Sequence, residues 1–319
     1  MKIFITGGAG FIGSTMVDKL LENKDNFVTV FDNFLSGKMS FIEHHLKDKR
    51  FNLIKGDLLD LRSIKDAIKG HDFVYHFAAN ADISRAMTEP DLDLKLTVIA
   101  TYNLLDAMRI YGPKKIAYSS GSGVYGDVGY IETPEHFGPL IPTSMYGASK
   151  LGAEGLICAF CYMFDMQSWI FRFANVVGKN QTHGVGYDFI NKLKKDPSRL
   201  TVLGDGSQSK SYIHVLDVIE AMIFIVNNTN EKVNIFNVAS DDYLTVKEIA
   251  EIVTSEMNLK NVKYEFGREN KGWKGDVPIV RFNIEKIKGI NWKARYNSKE
   301  AIQRSIREML GKNVTARAT

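Results

Sequence analysis

The chain has 319 residues, 45% hydrophobic and 24% charged, enough for a large buried core and ordinary for a globular protein in water. A formal net charge of +4 suits an anionic small molecule, and Lys and Arg are spread along the chain, which speaks against nucleic acid. The only two cysteines, Cys158 and Cys161, exclude a disulfide framework and fit a reducing compartment. The apolar stretch opening MKIFITGG is too short for a secretory signal, and no apolar run approaches the ~18 residues of a membrane span. A cytoplasmic protein is expected, without membrane or nucleic-acid partners.

In chain order, strands are predicted at 2–6, 27–31, 51–54, 73–77, 115–119 and 168–173, each rich in β-branched or aromatic residues. Helical patterns lie between them, over Ile12–Leu21, Phe41–Leu46 and Leu92–Met108, and again after Tyr146. This alternation predicts an α/β fold, a doubly wound parallel Rossmann sheet covered on both faces. After Gly178 the rhythm loosens into Gly-, Asn- and Asp-containing loops. Helices near 215–227, 245–256 and 297–309, with a strand VNIFNV at 233–238, predict a smaller C-terminal α/β lobe. The expected division is a dinucleotide-binding domain at 1–178, a substrate lobe at 179–311 and a disordered tail at 312–319. The strand at 233–238 is one that can rejoin the first sheet.

ITGGAGFIG sets Gly7, Gly10 and Gly13 between the first strand and the helix opening at Phe11 and Ile12. Glycine there permits a tight turn, close backbone approach to a pyrophosphate and close helix–sheet packing, with phosphate on the helix N-terminus. Asp32 ends the second strand, where a carboxylate accepts ribose hydroxyls and repels a 2′-phosphate. NAD is therefore expected over NADP, although Lys38, six residues on, opposes that preference.

SMYGASK carries Tyr146 and Lys150 four residues apart, on one face of a helix. A nearby ammonium is expected to pull the phenol down from about 10, so that phenolate can take a hydroxyl proton as hydride leaves the carbon. The pair follows YSSGSGVYG, just beyond the fifth strand.

Together these residues resemble the extended short-chain dehydrogenases/reductases, specifically the NAD-dependent nucleotide-sugar epimerase/dehydratase family, over nearly the whole chain. TGGAGFIG, Asp32–Asn33, Gly56–Asp57, HFAA at 76–79, VYG, YGASK and RFANVVG match its blocks in order. The resemblance implies that Asn33 joins Asp32 at the cofactor and that Asp57 and Leu58 flank the adenine. It further implies that Phe77, Ala78 and Ala79 line the cofactor and that Asn175 touches the substrate phosphate. Val202 and Leu203 would lie against the base, and Lys210 and Lys274 stand where arginines would neutralise the diphosphate. Lysine brings charge without the bidentate fork.

Two departures stand out. Where the family usually has Ser or Thr before VYG there is Gly121, with Ser122 beside it as a candidate replacement. Thr97 stands where an Asn is usual. The Asp-Glu pair of 4,6-dehydratases would fall on Ser122 and Gly123, which speaks against dehydration. The resemblance implies oxidation at C4 of a nucleoside-diphosphate sugar in a homodimer built on the helices near 92–109 and 146–164. A 4-epimerase is expected; the alternatives are a net 4-dehydrogenase and a non-catalytic NAD sensor. CAFC at 158–161 reads as core packing, His44 and His45 as surface residues, and no metal site is expected.

Overall fold

The computed structural model describes residues 1–80 and 82–314. Its first part runs β1 (Lys2–Thr6), α1 (Phe11–Leu21), β2 (Phe27–Asp32), β3 (Phe51–Lys55), α2 (Leu61–Ala67) and β4 (Phe73–His76). A π-helical turn at Leu94–Ile99 leads into α3 (Ala100–Tyr111), β5 (Lys115–Gly121), a 3₁₀ turn at Ser122–Val124, α4 (Met145–Met163) and β6 (Gln167–Phe173). Next come β7 (Asn175–Val177), α5 (Val185–Lys195), β8 (Arg199–Val202), β9 (Ser209–Lys210), β10 (Tyr212–His214) and α6 (Val215–Asn228). The last elements are β11 (Val233–Val238), β12 (Leu244–Thr245), α7 (Val246–Glu256), β13 (Lys263–Phe266), α8 (Glu285–Gly289) and α9 (Ser298–Met309).

Two compact units interleave along the chain. One comprises residues 1–124, 144–172 and 222–236; the other comprises 125–143, 173–221 and 237–319. A single cut at residue 178 does not describe this weave. Of the tail expected at 312–319, residues 315–319 lie outside the described residues.

The first unit is built on a seven-stranded sheet of order β11-β6-β5-β4-β1-β2-β3. β1 pairs in parallel with β2 and β4, β2 with β3, and β4 with β5. This is the expected α/β Rossmann sheet. Its strand order reverses between β1 and β4, and ligands of open α/β sheets bind outside the carboxyl ends of the strands at such a switch point. The apolar runs of β1 and β4 are continuous rather than alternating because helices cover both faces. Phe4, Leu104, Met108, Tyr118, Ile157 and Ile170 form part of one core. The run at 233–238 is the edge strand β11, beside β6.

The second unit carries three two-stranded sheets, pairing β10 with β7, β12 with β9, and β13 with β8. Its core gathers Phe189 and Leu193 of α5, Ile249 and Val253 of α7, and Ile302 and Ile306 of α9. α7 and α9 both start on capping boxes, Thr245 with Glu248 and Asn297 with Glu300.

Several elements differ from expectation. Phe41–Leu46 is not an α-helix: Met39–Phe41 and Glu43–His45 are separate 3₁₀ turns broken at Ile42, whose φ is −130°. Only Ile42 of that stretch is fully buried, too little to hold a longer helix. α2 was not foreseen, yet Asp60 caps it by accepting from the backbone N–H of Arg62 and Ser63. α5 was hidden behind its glycines, although Gly186, Phe189, Ile190 and Leu193 sit at helical spacing and are buried.

α4 is fastened to the sheet by a buried ion pair. Arg172 Nη2 of β6 donates to Glu154 Oε2 at 2.7 Å, and both side chains are only 4% exposed. Ser120 Oγ of β5 donates to the same carboxylate at 2.5 Å. Arg172→Ala strands a buried carboxylate and is expected to destabilise the protein by about 3–5 kcal/mol in chemical denaturation. Arg172→Met combined with Glu154→Gln should recover part of that loss, because the stranded charge is gone.

Candidate active site

Gly7 follows β1 with φ +69°, and its N–H donates to Phe31 O at 3.0 Å. A Cβ on Gly7 would lie 2.7 Å from Ala78 N, and one on Gly13 would lie 2.2 Å from Gly7 O. Any side chain at either place would force the turn apart. Gly10 is the N-cap residue of α1 and supplies no side-chain cap, so the N–H groups of the first turn remain available to an anion. Phe11 and Ile12 open that helix.

Asp32 is 6% exposed, and its two oxygens accept from Ala9 N (2.9 Å) and Phe34 N (2.8 Å). Burial pushes this carboxyl upward, against the lowering effect of the Phe34 and Ala9 hydrogen bonds. The exposed Asn33 donates through Nδ2 to Asp57 Oδ2 at 3.1 Å, which ties the ends of β2 and β3 together. Leu58 is buried, Phe77, Ala78 and Ala79 are half-buried, and the Phe77 N–H donates to Thr6 O at 3.0 Å. Thr97, on the π-helical turn, is fully buried and its Oγ1 has no hydrogen-bond partner; the same holds for Asp93 Oδ2. A glycine cradle that no Cβ could share, beside a buried acid closing β2, fits a dinucleotide.

Tyr146 and Lys150 lie one turn apart near the start of α4, which Ser144 caps by accepting from Gly147 N at 3.1 Å. Lys150 is 3% exposed and its Nζ donates to Ser119 O at 2.7 Å. That nitrogen lies 4.9 Å from the Tyr118 ring centroid and 5.6 Å from that of Tyr146. Burial brings the ammonium down to about 8, with Glu154 and Asp93 acting in the opposite direction. Tyr146 does not follow the expected fall. Burial first, and the Asp93 charge second, push its phenol up to about 12. Spacing predicted an ammonium beside the ring but neither the desolvation nor the Asp93 charge that raise the phenol.

Gly121 ends β5 and Ser122 opens the 3₁₀ turn, half-buried. That turn abuts the start of α4: a Cβ on Gly123 would sit 3.2 Å from Gly147 Cα and 3.7 Å from Tyr146 Cδ1. The chain thus brings Ser122 into the neighbourhood of Tyr146.

The remaining candidates belong to the second unit. Asn175 begins β7, its N–H donating to Ser211 O at 3.2 Å. Val202 is buried at the end of β8, Leu203 is 60% exposed, and Lys274 is exposed. Lys210 is paired: its Nζ donates to Asp276 Oδ1 at 2.9 Å, which answers much of its charge. Sequence reading missed Asp276, 66 residues away, and it missed Asp93 and Glu154. Glu154 continues the Tyr146–Lys150 face at the same spacing and so was visible in principle. Of the two cysteines, Cys161 is part of the core and burial pushes both thiols up.

Residues 3–239 match the model of the NAD dependent epimerase/dehydratase family. The chain belongs to that family. Its relatives include a Methanocaldococcus jannaschii protein provisionally named UDP-glucose 4-epimerase, 33% identical over 98% of this chain and 100% of that one. Arabidopsis thaliana UDP-glucuronic acid decarboxylase 1 is 30% identical over 96% of this chain and 69% of its own length. The crystal structure of a UDP-galactose 4-epimerase is 35% identical and superposes with a TM-score of 0.86, covering 98% of this chain and 99% of that one. This member of the epimerase/dehydratase family is thus an NAD-dependent nucleotide-sugar type of enzyme, and no helix among its described residues is long and apolar enough to cross a membrane.

One buried group beneath this family member's site makes its stability pH-dependent. His76, closing β4, has Nδ1 2.6 Å from Thr6 Oγ1 and Nε2 2.9 Å from Thr101 Oγ1. Burial, aided by the Lys150 charge, lowers it to about 3 from an ordinary 6.5. The unfolded chain therefore binds more protons between those values, and stability is lost as pH falls from about 6.5 towards 3. The contribution is at most about 1.4 kcal/mol per pH unit. His76→Gln, which keeps a donor and an acceptor but does not titrate, should flatten the acid limb of a denaturation-versus-pH series.

Proposed function

We propose that this protein is a nucleoside-diphosphate-sugar 4-epimerase working through a 4-keto sugar. The observation that carries the reading is the Tyr146–Lys150 pair on α4, set beside the Gly121–Ser122 end of β5 in a chain whose full-length relatives include 4-epimerases. NAD, when bound, supplies a two-electron acceptor for the hydrogen on C4 and the donor that returns it. The cradle of Gly7, Gly10 and Gly13 with Phe11 and Ile12 holds the pyrophosphate, and Asp32 and Asn33 face the ribose. Asp57, Leu58, Phe77, Ala78, Ala79 and Thr97 complete the cofactor's walls.

Tyr146 Oη takes the proton of the C4 hydroxyl as that hydrogen leaves carbon, and gives it back when the ketone is reduced on its other face. A phenol held near 12 must be helped to ionise, and the Lys150 ammonium supplies favourable charge at the ring. Ser122 donates to the C4 oxygen in place of the side chain that Gly121 lacks. Asn175, Val202, Leu203, Lys210 and Lys274 hold the nucleotide. Because Asp276 shares Lys210, Lys274 brings the less compromised charge to the diphosphate. Ser122 and Gly123 provide neither acid nor base for dehydration. The location fitting this substrate is the cytoplasm, and exposed Tyr102 on α3 and Tyr162 on α4 support a homodimer through those helices.

Cofactor choice is tested by affinity. The wild type should bind NAD(H) well above NADP(H), and Asp32→Ala should narrow the gap; equal affinities in the wild type would remove Asp32 from the ribose. Tyr146→Phe should lower turnover by about a hundredfold or more while leaving nucleotide-sugar affinity within a few-fold. Substrate deuterated at C4 decides between readings. An epimerase retains the label on C4 of the product, whereas a net 4-dehydrogenase, favoured by the bare Gly121, releases ketone and leaves the label on the cofactor.

A further inference from the structure

Outside the active site, three side chains from two separate elements of the first unit converge. Asp18 lies on the exposed side of α1, whose neighbours Met16 and Val17 are buried. His44 and His45 form the 3₁₀ turn after β2. Their Nε2 atoms lie 2.9 Å and 2.7 Å from the same oxygen, Asp18 Oδ1. The ligating atoms of all three residues fall within 4.8 Å of one another.

We propose that Asp18, His44 and His45 form a binding site for a divalent transition-metal cation of the zinc class. Two imidazoles and a carboxylate are borderline donors that suit Zn²⁺, Ni²⁺ or Cu²⁺, whereas Mg²⁺ and Ca²⁺ prefer all-oxygen sites. Zinc needs nitrogen at about 2.0–2.1 Å and carboxylate oxygen at about 2.0–2.2 Å. Donor atoms 2.7–2.9 Å apart need to open by only a few tenths of an ångström to admit it. Each imidazole then carries its proton on Nδ1 and turns the Nε2 lone pair to the metal, with water completing the coordination.

The turn is already shaped for this. His45 N donates to Ile42 O at 3.0 Å, Asp48 N donates to His45 O at 2.9 Å, and Ile42 is fully buried beneath. The His45 ring packs at 5.7 Å from that of Phe51, and its side chain is 16% exposed, which limits its rotamers. Preorganised ligands lose less entropy on binding. Sequence alone separates Asp18 from His44 by 26 residues, so the histidines read as surface polar groups. A bound cation would staple the segment following Asp32 to α1. None of this depends on the epimerase reading.

The test uses the full-length chain, freed of metal by chelation and dialysis, with Zn²⁺ alone as the probe. Calorimetric titration should give one equivalent per chain, unaffected by excess Mg²⁺, and a rise in melting temperature that EDTA reverses. His44→Ala/His45→Ala and Asp18→Asn should each weaken Zn²⁺ by at least the roughly 10–100-fold known for lost outer-shell partners. Asp18 and His44 are exposed and His45 is half-buried, so near-wild-type circular dichroism and turnover will certify the fold of each variant. Zn²⁺ bound equally by the wild type and the double-histidine variant would overturn the proposal, as would no binding by the wild type.

Discussion

A buried carboxylate on α4 organises the chemistry of the first unit. Glu154 accepts from Ser120 of β5 and from Arg172 of β6, all three nearly or wholly out of water. An ion pair so enclosed gains little net stability, because desolvation consumes most of the attraction. Its effect is on geometry. It sets the rotation and height of α4 against two strands, and Lys150 and Tyr146 stand one and two turns back on the same face. Lys150 consequently meets the carbonyl of Ser119, the residue next to Ser120, and Glu154 and Asp93 oppose the burial that lowers its ammonium to about 8.

The glycine turn after β1 imposes a second constraint, and it is steric. Gly7 and Gly13 leave no room for a Cβ because the backbone at Ala78 and the turn's own carbonyl already occupy it. The same crowding brings the start of α1 close to the carboxyl ends of β1 and β4, where the strand order reverses. Asp32, held by two backbone hydrogen bonds, braces this loop. A charged group that also holds backbone in place tolerates substitution poorly, which is why cofactor affinity and stability are to be read together in its variants.

Acid and base groups here are tuned by burial more than by neighbours. Tyr146 is driven up and Lys150 down, the directions that desolvation imposes on an anion-forming and a cation-forming group. The two values cross and move apart, the phenol from 10.0 to about 12 and the ammonium from 10.5 to about 8. A phenol raised this far ionises near neutral pH only if further positive charge comes to the ring.

The parallel sheet was legible in the sequence because each strand is a short run of β-branched and aromatic residues followed by an amphipathic helix, patterns set by local periodicity. The glycine cradle, Asp32 and the Tyr146–Lys150 pair were legible for a related reason: each depends on residues close together in the chain. The return of the strand at 233–238 was open to the sequence, and β11 does take the sheet edge beside β6; that residues 125–143 leave for the second unit and 144–172 belong to the first was not, since no local pattern encodes it. Nor could spacing reveal that Asp276 answers Lys210, that Arg172 answers Glu154, or that Asp18 meets His44 and His45. Charge pairing and desolvation are properties of three-dimensional neighbourhood. Residue order decided which groups this protein has and the tertiary fold decided which are buried, and burial turned the expected fall of Tyr146 into a rise.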